Sequence, residues 1–311
     1  MKLNPEKYRL DEPEHQQIFE QDIKPDIFKG IEPSSEPVAV IFGGQPGAGK
    51  SAAVDAAMRE LQAHGGAVQI VGDDFRSYHP HYSRLLEIND KTAAFYTDRD
   101  TGKWVEKAIA EAKAQKVNIV IEGTMRDGDK VANTMKSLRA AGYKIDARVL
   151  AVNPKFSEQG ILQRYEGQKA DKGTGRMTTP EAHQAACIGM LSTLERIESE
   201  KLANNITIYR RGGEAIYTNK LQGKQWVREP QASAMVEAEC SRPMNLQECK
   251  DYAQGFDELA KLLGKRSASR EEVTKVQNLR RQAHSNLDAM QQQPPENSEK
   301  IKRSENYCDA G

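Results

Sequence analysis

Lys50 and Ser51 close the octapeptide Gly44-Gln45-Pro46-Gly47-Ala48-Gly49-Lys50-Ser51, which fits G-x-x-x-x-G-K-[ST] without a mismatch. The glycines let backbone N–H groups converge on phosphate oxygens where a side chain would collide. A helix beginning near Lys50 points the positive end of its dipole at the same anion. Lys50 then reaches the β- and γ-phosphates, and the Ser51 hydroxyl can ligate Mg²⁺. The octapeptide therefore predicts a cradle for ATP and Mg²⁺. It does not say whether the phosphate drives movement, times a switch or is handed to another molecule.

Other residues narrow that choice. A guanine-reading N-K-x-D is missing, because the Asn219-Lys220 pair is followed by Leu-Gln. The strand-like "VNIVIEGT" ends in a single Glu122, where motor-type ATPases usually carry Asp-Glu. A small-molecule kinase is the class that remains, and it needs a base near an acceptor hydroxyl and cations for the moving phosphoryl group. "QIVGDDFRSYHP" offers Asp73 and Asp74 just past a strand, either as the base or as a helix N-cap pair. "LQRYEGQKADKGTGRMTTPEAH" offers Arg164 near a helix end and Arg176 in a loop with Gly173 and Gly175. A loop of that kind closing an arginine over the γ-phosphate would exclude water and favour transfer over hydrolysis. Ordinary surface arginines are the alternative.

These residues need a scaffold, and the pattern of the chain supplies one. From Pro37 to about Trp226, strand-like and helix-like segments alternate. "VAVIF", "AVQIV", "VNIVIE", "YKIDARVLAV" and "NITIYRR" read as strands. Helices are expected at Ser51–Gln62, Gly102–Gln115, Asp129–Ala141, Lys155–Gln168 and Pro180–Leu202. The fold class expected is α/β, a P-loop NTPase-type, mainly parallel sheet flanked by helices. Ahead of it, residues 1–36 form a lead-in whose Ile18, Phe19, Ile23, Ile27 and Phe28 suit a short helix packed on the domain. The kinase domain is expected to span 37–228. Two amphipathic helices follow within 229–292, joined by "GKRSAS", and 293–311 reads as a disordered tail.

Composition sets outer limits. Lys+Arg and Asp+Glu balance at 45 each, so no overall basic field points to nucleic acid or an anionic membrane. The N-terminus has no apolar signal-peptide core, and no apolar run approaches the ~20 residues that span a bilayer. Cys187, Cys240, Cys249 and Cys308 form no C-x-x-C pair, which suits reduced thiols and a cytoplasmic location.

In order along the chain, "GGQPGAGKS", "GDDFRSYHP", "IEGTMR", "QRYE" and "GRMTTPEAH" resemble the zeta toxin family of epsilon/zeta toxin–antitoxin systems. The likeness runs from roughly Val38 to Tyr217. It implies a kinase moving the γ-phosphate of ATP to the 3′-hydroxyl of UDP-N-acetylglucosamine, which would starve peptidoglycan synthesis. Position by position it implies Asp73 as general base, Lys50 and Ser51 as the P-loop pair, and Arg164 and Arg176 as γ-phosphate clamps. On the acceptor side it implies Phe75, Arg76 and His79 beside Asp73, then Glu122, Thr124 and Arg126. Glu106, sixteen residues before Glu122, falls where the family has an acceptor-binding glutamate, or is simply a solvated helix charge. Within "YTDRDTGKWVEKA" the chain departs from the familiar pattern, so Tyr96 and Trp104 either shape a different acceptor pocket or pack the core. An epsilon-type antitoxin is an implied partner. The C-terminal helices are open to three readings: a buttress, a partner surface, or a cis-inhibitory element. Alternatives to the kinase reading are a P-loop phosphotransferase for a nucleoside, antibiotic, polyol or other UDP-sugar, and an ATP-dependent interaction protein.

Overall fold

The computed structural model describes residues 3–292. The five expected strands form as β1 (Val38–Gly43), β2 (Val68–Val71), β3 (Ile119–Glu122), β4 (Lys144–Ala151) and β5 (Asn205–Arg210). Two more, β6 (Ala215–Gln222) and β7 (Gln225–Trp226), complete a seven-stranded sheet of order β2-β3-β1-β4-β5-β6-β7. β1 to β5 run parallel, and β6 and β7 join antiparallel. Helices cover the sheet, so β1 is buried from Ala39 to Gly43 without alternation. Phe42 and Val71 both lie opposite Glu122 in the ladder, which brings the loops after β1, β2 and β3 out side by side at one edge.

In chain order the helices are α1 (Glu12–Ile18), α2 (Lys24–Ile27), α3 (Ser51–Gln62), α4 (Tyr82–Asn89), α5 (Ala93–Gln115) and α6 (Gly128–Ala140). Then come α7 (Pro154–Lys172), α8 (Pro180–Ser199), α9 (Ala232–Ser241), α10 (Leu246–Lys265) and α11 (Arg270–Gln291). A π-helical segment, Phe19–Ile23, joins α1 to α2, and a 3₁₀ turn spans Asp74–Tyr78. Phe19 and Ile23 are buried in the core, so the lead-in packs on the sheet domain as its apolar residues require.

α5 starts at Ala93, well before the expected Gly102, and the reason is chemical. Its inward positions include Thr97, Asp100 and Thr101, each at most 2% exposed, so a polar interior hides the helical period. Each of the three residues is engaged: Asp100 Oδ2 accepts from Leu10 N and faces His79 Nε2, Thr97 Oγ1 accepts from Arg76, and Thr101 Oγ1 donates to Thr97 O. Trp104 is fully buried, stacked on His15 at 4.8 Å, with Nε1 donating to His15 O at 3.0 Å. It packs the core and does not line the cleft described below. Tyr96 is half-buried against Tyr8.

The chain divides into two compact units, 1–242 and 243–311. The division falls after α9, later than the expected 228, because α9 belongs to the first unit. Ala232 and Val236 enter its core, and the buried Glu198 carboxylate accepts from Ala232 N, Gln231 N and Tyr217 OH. In the second unit α10 and α11 form the expected hairpin, each opened by a capping box, Asn245/Glu248 and Ser269/Glu272. The expected disordered tail, 293–311, lies outside the described residues. None of the described helices is long and apolar enough to cross a membrane.

Burial pushes the Glu198 carboxyl above its ordinary value, against the three donors that favour its charge. Glu198→Ala strands those donors and is expected to cost about 2–3 kcal/mol. Urea unfolding of the full chain should show this as a lower midpoint.

Candidate active site

The turn from β1 into α3 is shaped by what has no side chain. Gly44, Gly47 and Gly49 have φ of +149°, +80° and +85°, a region that side chains disfavour. A Cβ on Gly47 would overlap the Ser157 carbonyl of α7, and one on Gly160 would overlap the Gly47 carbonyl. The phosphate loop therefore lies backbone-to-backbone on the first turns of α7. Gln45 reinforces the contact: its buried Nε2 donates to Val152 O at 2.6 Å and Ser157 Oγ at 3.3 Å. Ser157 Oγ in turn hydrogen-bonds His183 Nε2 at 2.7 Å, a ring that burial holds below its ordinary pKa.

Lys50 lies under the loop, with Nζ donating to Gly44 O at 2.8 Å and Gln45 O at 3.3 Å. Glu122 Oε1 stands 3.9 Å from the ammonium. Burial lowers the Lys50 pKa, with Glu122 opposing, and burial raises that of Glu122, with Lys50 opposing. After Glu122 the backbone turns at Met125, a buried non-glycine residue with φ of +52°. Its Sδ fills the space that a Cβ on Gly43 would need. Strain of this kind is held only where packing enforces it.

Asp73 follows β2 at the same edge. Its side chain makes no capping hydrogen bond to the 3₁₀ turn, which disposes of the capping reading for this residue. Arg76 Nε donates to its Oδ1 at 3.2 Å, and Arg176 pairs with the same oxygen. Surrounding protein would push the Asp73 carboxyl up, but the two guanidiniums carry it below its ordinary value. It is nonetheless 42% exposed, and that opening faces a cleft of about 360 Å³. Asp74 moves upward, through burial and the neighbouring charge of Asp73.

Arg164 and Arg176 line the same cleft, as do Ser51, Asp73 and Glu122. Arg164 Nη2 donates to Thr178 Oγ1 at 2.8 Å, while its buried Nε finds no partner among the described residues. Burial, and then the charge of Arg176, push its pKa down to about 10. Two guanidiniums and an ammonium gathered around one hollow repel one another. An anion with several oxygens relieves that repulsion and supplies the missing acceptor.

The structure thus brings together Lys50, Ser51, Asp73, Glu122, Arg164 and Arg176. It does not bring in every residue suggested by the family likeness. Phe75, 2% exposed, is in the hydrophobic core, and His79, equally buried, faces Asp100. Arg76 spends its N–H groups on Asp73, Asp98, Thr97 Oγ1 and Ala94 O, fastening the aspartate to α5. Thr124 is half-buried beside Met125, and Glu106 is exposed on α5. Arg126 opens onto a separate shallow depression of about 540 Å³ with Asp129 and Arg196. Tyr82 and Gln168 line the cleft too. Neither stands in a spacing pattern that sequence reading could weigh.

A glycine loop between the central strand of a parallel sheet and its following helix, facing a carboxylate and two arginines, defines a P-loop kinase-like fold. The chain belongs to the zeta toxin family: the family model for zeta toxin matches residues 24–222. It is 32% identical to toxin PezT of Streptococcus pneumoniae over 195 residues, 62% of this chain and 76% of that protein. It is 31% identical to toxin zeta of Streptococcus pyogenes over 195 residues, 62% of this chain and 67% of that one. Among solved structures it resembles one from the PezAT chromosomal toxin–antitoxin system of Streptococcus pneumoniae. That match has a TM-score of 0.69 at 26% identity and covers 82% of this chain and 99% of the other. The AvrRxo1-ORF1:AvrRxo1-ORF2 complex shares the fold, with a TM-score of 0.55 at 14% identity, covering 94% and 92% of the two chains.

The loop-to-α7 contact yields a test. Gly160→Ala forces the two backbones apart, an overpacking expected to cost about 1–3 kcal/mol. The Kd for a fluorescent ATP analogue should rise roughly tenfold, with the far-ultraviolet circular dichroism unchanged.

Proposed function

We propose that this chain is an ATP-dependent phosphotransferase whose acceptor is a sugar hydroxyl of a UDP-sugar, first among them the 3′-hydroxyl of UDP-N-acetylglucosamine. The observation that carries the phosphotransfer reading is the pairing of Asp73 with an arginine-lined cleft beside the glycine loop. A protein that only binds nucleotide has no use for a carboxylate open to the space where the γ-phosphate would lie. The acceptor rests on membership of the zeta toxin family.

Lys50, Arg164 and Arg176 neutralise the phosphoryl oxygens, and the backbone of residues 44–50 cradles the chain of phosphates. The cleft lining fits Mg²⁺: the Ser51 hydroxyl would hold the ion, with Glu122 and Asp74 in the same hollow. When bound, the ion would supply positive charge to neutralise the polyphosphate. Asp73 orients the acceptor hydroxyl. As the acceptor oxygen bonds to the γ-phosphorus and the bond to the β-phosphate oxygen breaks, the hydroxyl proton passes to Asp73. A carboxylate held below its ordinary value is a weak base. In a loose transition state the proton leaves late, when the hydroxyl has become acidic, so a weak base suffices.

The phosphorylated sugar nucleotide would be a dead end for cell-wall synthesis, which would make the chain toxic, and a separate antitoxin protein would be the natural partner. All the residues proposed for the chemistry precede Arg242. A chain ending there is expected to fold and to transfer phosphate, judged by acceptor-dependent ADP release. Faster turnover than the full chain would make the C-terminal helices an in-chain silencer, and equal turnover would exclude that role.

Asp73→Asn is expected to lower acceptor-dependent ADP release by about 100-fold or more while leaving ATP binding largely intact. The arginines hold the Asp73 carboxyl below its ordinary value, so this base should impose no acidic limb at neutral or mildly acidic pH. An active Asp73→Asn beside an inactive Asp74→Asn would move the base by one residue.

A further inference from the structure

Asp90 follows the last residue of α4 and belongs to none of the family motifs. Its carboxylate joins the two walls of the cleft. One wall is α4, which contributes Tyr82 and Leu86, and the other is α7 with the arginine loop, which contributes Arg164, Gln168 and Arg176. Both Asp90 oxygens lie 3.1 Å from Tyr165 OH, and Oδ2 accepts from Gly175 N at 3.3 Å. Lys169 Nζ stands 3.4 Å from the same oxygen, and the pair is shielded, with side chains 20% and 13% exposed.

The geometry gives that cluster a specific target. Gly175 is seated so closely on Tyr165 that a Cβ would overlap the Tyr165 carbonyl. The next residue is Arg176, whose backbone N donates to Gln168 Oε1 at 2.7 Å and whose guanidinium meets Asp73. Gln168 and Arg164 hold the loop from α7 itself. Asp90 reaches it from the facing wall.

We infer that Asp90 is a positioning residue: through Gly175 it ties α4 to the arginine loop and so sets Arg176 against Asp73. It touches no reacting atom. The tie also links the wall that would meet the acceptor to the clamp that would meet the γ-phosphate. The inference deepens the phosphotransfer reading and rests on it for its catalytic consequence.

The test uses the full chain and its Asp90→Ala, Asp90→Asn, Arg176→Ala and Asp90→Ala/Arg176→Ala variants. Turnover with ATP and UDP-N-acetylglucosamine is measured alongside amide hydrogen exchange at residues 173–179. Asp90→Ala should lower kcat by about 30-fold, the scale of a sub-ångström to ångström misplacement, with the KM for ATP changed by less than about twofold. Asp90→Asn keeps an oxygen for Gly175 N–H and should recover to within about threefold of the parent. The double variant should be no slower than Arg176→Ala alone, because the effect passes through that arginine. Exchange at 173–179 should quicken in Asp90→Ala while residues 44–51 stay protected. Unchanged exchange, additive losses, or an Asp90→Asn as slow as Asp90→Ala would overturn the assignment. If the parent phosphorylates no acceptor, the phosphotransfer reading fails, and exchange at 173–179 still decides whether Asp90 holds the loop.

Discussion

Two backbones in contact, the phosphate loop at Gly47 and α7 at Ser157 and Gly160, set the geometry on which the rest of the site depends. The contact leaves no room for a Cβ on Gly47 or Gly160, and it fixes how far the loop stands from everything α7 carries. α7 holds Arg164 and delivers Arg176 through the loop that follows it. The contact therefore fixes the cradle against the helix that carries Arg164. Gln45, Ser157 and His183 extend the same joint with hydrogen bonds behind the loop. Gathering Lys50, Arg164 and Arg176 in a partly dry cleft is unfavourable in isolation. Asp73 and Glu122 offset part of that cost, and a polyphosphate would offset the remainder.

The same balance decides the character of Asp73. Arg76 and Arg176 both meet its Oδ1, so it stays charged and oriented. Arg76 is itself fixed by Asp98, Thr97 and a carbonyl of α5. The polar interior of α5 thus serves the site: its buried threonine holds the arginine that holds the aspartate. Proton affinity is given up for position, a sound exchange where the hydroxyl loses its proton late.

Much of this could be read in the sequence. The β-branched runs around Ile41, Ile70 and Ile119 gave their strands, and the octapeptide gave the loop, because both patterns are local and dictated by burial or by positive φ. Asp73, Arg164 and Arg176 came from short motifs whose residue types have few uses together. What stayed hidden depends on partners distant in the chain. The first turns of α5 carry Thr97, Asp100 and Thr101 inward, and no periodicity rule anticipates that without knowing that Arg76, His79 and Leu10 await them. Phe75 and His79 sit beside Asp73 in sequence, yet their side chains turn into the core, because the 3₁₀ turn rotates successive residues to different faces. α9 was overlooked for the complementary reason: its short, alanine-rich sequence has little amphipathic contrast, and its start is pinned by Glu198, far upstream.

In the proposed reaction, phosphate leaves this site on an acceptor sugar. Phosphorus NMR of the full chain with ATP, Mg²⁺ and a panel of UDP-sugars tests it most directly. The account predicts a new sugar phosphomonoester resonance that grows in step with ADP, strongest with UDP-N-acetylglucosamine. ADP appearing together with inorganic phosphate, at a rate indifferent to every sugar nucleotide in the panel, would contradict it.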